Sequence, residues 1–170
     1  KYITLMIIAS LMVMMALYVF TFPKYKTEEI TGAFFGVCYV PVMLSFLYQT
    51  REMQDGAYAV WLIFLSSWGC DTCAYCSGML LGKHRLAPVL SPKKSIEGAV
   101  GGTVGAALLG FLFASVFGGQ MRGISDPKLV CTAACAIAAV ISQIGDLAAS
   151  AIKRNHDIKD YGHLIPGHGG

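Results

Sequence analysis

Long apolar runs broken by short charged stretches set the pattern of this chain. From about Ile3 to Phe22 almost every position is apolar, and Pro23 with the run Lys24-Tyr25-Lys26-Thr27-Glu28-Glu29 ends that run as a charged loop. A second run extends from about Thr31 to Tyr48 and contains Pro41, read as a kink of the kind membrane helices tolerate; Arg51, Glu52 and Asp55 form the break after it. The third covers about Ala57 to Leu81, with Trp61 near one interface and Asp71 in its second half. A polar loop, Gly82-Lys83-His84-Arg85 and then Ser91-Pro92-Lys93-Lys94-Ser95, leads to a glycine-rich fourth run from about Ile96 to Phe117. Gly98, Gly101, Gly102 and Gly105 in that run give overlapping GxxxG spacings, which let helix backbones approach closely. Gly118 to Lys128 reads as a loop, and the fifth run covers about Leu129 to Arg154.

Each run has the roughly 20 residues that a helix needs to cross a hydrocarbon core of about 30 Å. The expected fold is an all-α polytopic transmembrane bundle of about five spanning helices with a C-terminal cytoplasmic loop. No long repeat, low-complexity segment or linker interrupts it, so residues 1–170 read as a single integral membrane domain.

Composition agrees with the pattern. The chain is 55% hydrophobic and only 14% charged, against roughly a quarter charged in soluble domains. Lys1 and the apolar run after it lack the small-residue cleavage site of a signal peptide, so the run reads as a spanning helix. The missing initiator Met and the ending in Gly169-Gly170 read as an internal piece of a longer protein. All six cysteines lie in apolar segments, where they serve best as small buried residues. With five spans, nine basic residues (Lys24, Lys26, Lys83, Arg85, Lys93, Lys94, Lys153, Arg154, Lys159) fall on one side and four (Lys1, Arg51, Arg122, Lys128) on the other. The first side is then cytoplasmic. It carries both the loop after Gly82 and the stretch after Asp146.

That last stretch, Gln143 to Gly170, holds the most distinctive chemistry. If the helix runs through Arg154, then Gln143, Asp146, Ser150, Lys153 and Arg154 share one face within an arc of about 100°. A charge at membrane depth costs about 2.5 to 3.5 kcal/mol, so Asp71 and Asp146 each need a partner or a task. An ion pair with Lys or Arg of a neighbouring helix is one answer. A divalent cation is the other, since carboxylate oxygens suit Mg²⁺ and the surplus of Lys and Arg nearby favours a polyphosphate ligand.

Two blocks carry a resemblance to a known family. One is Asp71-Thr72-Cys73-Ala74-Tyr75, Gly78, Gly82-Lys83, Leu86-Ala87-Pro88, Ser91-Pro92-Lys93-Lys94-Ser95 and Glu97-Gly98. The other is Ser150-Ala151-Ile152-Lys153-Arg154, Lys159-Asp160, Gly162 and Ile165-Pro166-Gly167-His168-Gly169-Gly170. Together, over about residues 68–170, they closely resemble the signature of the phosphatidate cytidylyltransferases, also called CDP-diacylglycerol synthases. The resemblance implies a membrane nucleotidyltransferase of phospholipid biosynthesis that joins CTP and phosphatidate to give CDP-diacylglycerol and pyrophosphate, using Mg²⁺. It implies Asp146 as a metal ligand and Ser150, Lys153 and Arg154 as phosphate contacts. Lys159, Asp160 and the loop from Pro166 through Gly167, His168, Gly169 and Gly170 would shape the nucleotide site. Lys83, Ser91, Lys93 and Lys94 would contribute from the other loop, and Asp71 would either touch metal or orient a partner. In the family the final Gly-Gly is soon followed by an Asp-Arg-x-Asp run that completes the metal site, so whether the chain as given is active without it stays open. Ser95-Ile96 also stands where the family commonly has Thr-Trp.

Other signals weigh less. Cys70-x2-Cys73-x2-Cys76 has an iron-sulfur spacing but no fourth thiolate at a suitable distance. His84, His156 and His163 read as solvated loop residues, whereas His168 lies inside the signature. An enzyme acting from CTP on another lipid phosphate is the alternative within the same chemistry. An ion-coupled transporter lined by Asp71 and Asp146 is the alternative outside it, though the sequence lacks the internal symmetry common in transporters. Membrane lipids are expected partners and nucleic acid is not; a homodimer stays open. The style of the loop motifs points to a bacterial inner membrane.

Overall fold

A computed structural model describes residues 2–162; Lys1 and residues 163–170 lie outside the described residues. The chain divides into two compact units, Lys1–Met53 and Gln54–Gly170. The first holds helices α1 (Tyr2–Thr21) and α2 (Thr27–Glu52), which pack on each other and bury no residue fully. Thr27, Glu28 and Glu29, expected in a loop, form the first turn of α2. There the Glu29 carboxylate accepts the Lys26 N–H at 2.8 Å, and acidic side chains suit the positive end of a helix. Pro41 stays inside α2, and Arg51 and Glu52 extend it rather than ending it.

The second unit contains α3 (Gly56–Leu81), β1 (Arg85–Ala87), β2 (Ser91–Ser95), α4 (Ile96–Phe117) and α5 (Pro127–Asn155). The five helices make this an all-α polytopic membrane fold. Four of them, α1, α2, α4 and α5, are long and apolar enough to cross a membrane. Helix α3, at 26 residues, has the length, about 39 Å. Its polar positions include Ser66, Ser67, Asp71, Thr72 and Ser77.

Helix α4 packs against both α3 and α5. Its buried positions are Gly98, Gly102, Ala106, Gly110 and Ala114, a ridge of small residues at every fourth position. A Cβ added at Gly102 would stand 2.9 Å from the Cys70 carbonyl oxygen, and one at Gly110 would stand 2.6 Å from that of Cys131. The glycines therefore do what their spacing predicts: they let α4 approach its neighbours almost backbone to backbone. The matching surfaces are small too, with Cys70, Cys131, Cys135 and Ala139 fully buried. Large apolar side chains such as Val104, Leu108, Leu112, Ile137 and Ile141 point outward, as a lipid solvent allows.

The polar loop after α3 is in fact a two-stranded antiparallel hairpin, with Arg85 opposite Ser95 and Ala87 opposite Ser91. At its end Ser95 caps α4, its hydroxyl accepting the Gly98 N–H at 3.1 Å. The loop expected from Gly118 to Lys128 is also shorter. A single 3₁₀ turn covers Gly118–Gln120, and Pro127 and Lys128 already belong to α5, whose start is capped by Asp126 through the Leu129 N–H at 3.2 Å.

Candidate active site

The second half of α3, the hairpin, the start of α4 and the middle of α5 enclose a cavity of about 420 Å³. Asp71 and Tyr75 reach it from α3, Ser91, Lys93, Lys94 and Ser95 from β2, Gly98 and Ala99 from α4, and Gln143 from α5. Residues separated by more than 70 positions thus meet in one place. The convergence follows from the close packing of α4, because its small ridge draws α3 and α5 together just below the hairpin.

Lys94 Nζ pairs with Asp146 Oδ2, tying the hairpin to α5. The need for a partner at Asp146 is met, but by a strand residue rather than by a neighbouring helix. Asp71 makes no ion pair among the described residues and stands within electrostatic reach of both Lys94 and Asp146. One carboxylate, Asp71, and two lysines, Lys93 and Lys94, therefore line the cavity, and the second carboxylate, Asp146, stands outside its lining as the partner of Lys94. The described residues hold no cluster of three or more His, Cys, Asp or Glu side chains suited to a metal.

Gln143 fixes the floor. Its Nε2 lies 3.2 Å from the Ala99 carbonyl oxygen, 3.1 Å from Thr103 Oγ1 and 3.3 Å from Cys70 Sγ, so one amide cross-links three helices. The carbonyl can only accept, which sets the amide orientation. Gln143 also lines a second cavity of about 390 Å³, whose other walls include Val100, Val104, Val140, Ile144 and Leu147. Leu86, Ala99 and Gln143 are common to both cavities. A chamber lined by both charged and apolar residues and a more apolar groove share one wall.

The hairpin is held at its neck. Glu97, in the first turn of α4, accepts the backbone N–H groups of Lys83 at 3.1 Å and His84 at 3.2 Å through Oε2. Its Oε1 lies 2.6 Å from His84 Nδ1. The Arg85 guanidinium donates to the Pro92 carbonyl oxygen and closes the hairpin further along.

Beyond Asp146 the polar face of α5 continues through Ser150, Lys153 and Arg154, as the helical period predicts, but these three do not line the cavity. Past the helix end the chain turns back: the Tyr161 hydroxyl donates to the Ala149 carbonyl oxygen at 3.0 Å, and Lys153 Nζ sits 5.2 Å above the Tyr161 ring. Lys83, exposed at the hairpin neck, and Lys159 and Asp160, beyond α5, also lie outside the cavity wall. Gly167, His168, Gly169 and Gly170 lie outside the described residues. Of the cysteine triplet on α3, Cys70 is buried, Cys73 half-buried and Cys76 exposed. Tyr75, Ser95 and Gln143 on the cavity wall, and Glu97 at the hairpin neck, were not assigned to the site from sequence. Gln143 showed only as part of a polar stripe, and Glu97 only as part of a motif, because the groups each one binds lie far away in the chain or on the backbone.

Comparison with known proteins places this arrangement. The model of the cytidylyltransferase family matches residues 1–170. The chain is 32% identical over 167 residues to the phosphatidate cytidylyltransferase of Staphylococcus saprophyticus, covering 96% of this chain and 60% of that protein. It is 34% identical over 152 residues to that of Staphylococcus aureus strain COL, covering 86% and 54%. For Haemophilus influenzae the figures are 38% over 122 residues, 71% and 42%. The chain thus spans about half the length of the curated relatives it matches. With the family model covering it from end to end and relatives of one description across most of its length, the chain belongs to the cytidylyltransferase family.

Proposed function

We propose that this chain forms part of an enzyme that transfers the cytidylyl group of CTP to phosphatidate, giving CDP-diacylglycerol and pyrophosphate. The observation that carries the reading is the link from Lys94, on the wall of a cavity that also holds Asp71 and Lys93 and borders an apolar groove, to Asp146 of α5. One substrate is a soluble polyanion and the other an anion with two acyl chains. A chamber of mixed charge beside an apolar groove suits that pair.

The reaction is a displacement at phosphorus. An ionised phosphate oxygen of phosphatidate attacks the α-phosphorus of CTP, the new P–O bond forms, and the bond between the α-phosphorus and the bridging oxygen breaks as pyrophosphate leaves. The nucleophile is already an anion near pH 7, so the difficulty is repulsion between two anions rather than removal of a proton. Lys93 and Lys94, with Ser91 beside them, answer that difficulty from the hairpin. Lys153 and Arg154 at the end of α5, with Ser150 one turn earlier, extend the basic face toward phosphate groups that project from the chamber. Lys83, Lys159, Asp160 and the Gly167-His168-Gly169-Gly170 segment are proposed nucleotide contacts on the same side.

Asp71 and Asp146 would hold Mg²⁺. Two carboxylates fit this ion, which commonly takes one or two of them and completes its shell with water and substrate phosphate oxygens. When bound, it supplies charge neutralisation at the phosphates. The excess of basic residues on the side carrying the hairpin and the end of α5 supports a cytoplasmic position for the site, where CTP is available. Relatives in bacteria support a bacterial inner membrane.

Labelled CTP supplied to the full-length protein with a panel of lipid phosphates tests the acceptor. Label should pass into CDP-lipid with dioleoyl phosphatidate; product from a polyprenyl or archaeal-type lipid phosphate in its place would overturn the assignment.

A further inference from the structure

We infer that Glu97 is a positioning residue that holds the hairpin so that Lys93 and Lys94 face the cavity. It does not line the cavity, yet it gathers three donors from two adjacent residues, the N–H groups of Lys83 and His84 and His84 Nδ1. A fourth link runs the other way, since the Ile96 N–H donates to the His84 carbonyl oxygen at 2.9 Å. The point where the chain leaves α3 is thereby fastened to the point where it enters α4.

This arrangement is not the usual use of a glutamate at a helix start. Ser95 already caps α4 through the Gly98 N–H, and the Glu97 carboxylate turns back across the neck to Lys83 and His84. Its side chain is only 26% exposed, whereas that of His84 is 74% exposed. The carboxylate is therefore the covered, fixed member and the imidazole its outer flank.

The consequence lies in lever geometry. The register places Arg85 opposite Ser95, immediately beyond the neck, and β2 runs back from there through Lys94 and Lys93 to Ser91. A two-stranded ribbon has little stability of its own in isolation, so its direction is set by what grips its base. Releasing the neck frees the strand that carries the lysines, and Lys94 loses its fixed approach to Asp146. The effect falls on substrate binding, because the lysines bear charges that both substrates need; this step rests on the reading of Lys93 and Lys94 as phosphate contacts.

Variants of the full-length protein test it with two readouts. Amide hydrogen exchange follows residues 83–95 without reference to activity, and steady-state kinetics follow KM for CTP against kcat. Glu97→Ala should speed exchange across the hairpin and raise KM for CTP about tenfold with a smaller change in kcat. Glu97→Gln keeps an oxygen for the backbone N–H groups and should restore KM to within about threefold of the unsubstituted protein. His84→Ala, which leaves the backbone donors in place, should fall between the two. A general loss of folding would instead lower the active fraction and leave KM unchanged, and that result overturns the inference. So does unchanged exchange at residues 83–95 in Glu97→Ala. If the unsubstituted protein forms no CDP-lipid, the functional reading fails by itself, and the exchange measurement still decides whether Glu97 holds the hairpin.

Discussion

Gly102 and Gly145 both lie inside helices, but their surroundings are opposite. A methyl group at Gly102 would stand 2.8 Å from Ala74 Cβ and 2.9 Å from the Cys70 carbonyl oxygen, whereas at Gly145 nothing lies within 4 Å. Gly102→Ala must therefore push α4 from α3 and should cost about 1 to 3 kcal/mol, while Gly145→Ala should be neutral or stabilise by up to about 1 kcal/mol through helix propensity. Thermal unfolding of the two variants in detergent checks the difference in sign. At this scale the sequence was informative where the clue is local and silent where the partner is distant. The GxxxG spacing exposed the close approach, and the cost of a charge at membrane depth exposed Asp146 as needing a partner. That the partner is Lys94, 52 residues earlier, follows only from how three helices and a hairpin meet. The same holds for Gln143, whose bonds to Cys70, Ala99 and Thr103 depend on the packing of α4 between α3 and α5.

Among the elements, the helices were legible because each is a long run with one character. Their bounds shifted by a few residues wherever a cap lay in what looked like a loop, as at Lys26 with Glu29 and at Asp126 with Pro127. The hairpin was not legible. Its strands have three and five residues, carry Pro92 and two lysines, and show no apolar alternation. What holds them together is not an apolar face but the Glu97 contacts at the neck and the bond between the strands from Arg85 to the Pro92 carbonyl oxygen. Ser95 connects this hairpin to α4. Ser95→Ala removes the acceptor for the Gly98 N–H and should cost about 1 kcal/mol, in the range typical of a lost N-cap. Ser95→Thr keeps the hydroxyl and should cost less. Unfolding midpoints of the two variants, measured side by side, give the comparison.

For the whole molecule, the decisive property is that charge is scarce and collected. Within the second unit, Asp71 of α3, Lys93 and Lys94 of the hairpin and Gln143 of α5 meet at one chamber, while large apolar side chains cover the outer faces of α4 and α5. The motif resemblance covered about residues 68–170, and the family model extends the match to residues 1–170. The first two helices, which carry only hydrophobicity to the eye, therefore belong to the same family pattern. The chemistry proposed here depends most directly on Asp146, the carboxylate that meets Lys94 and would hold Mg²⁺. The measurement that tests it is Mg²⁺-dependent formation of CDP-diacylglycerol from labelled CTP and phosphatidate by the full-length protein and by its Asp146→Asn variant, with folding of both checked by unfolding midpoint. Product from the unsubstituted protein and its loss by at least about a hundredfold in a folded variant is the predicted result. Near-normal turnover by Asp146→Asn would contradict it.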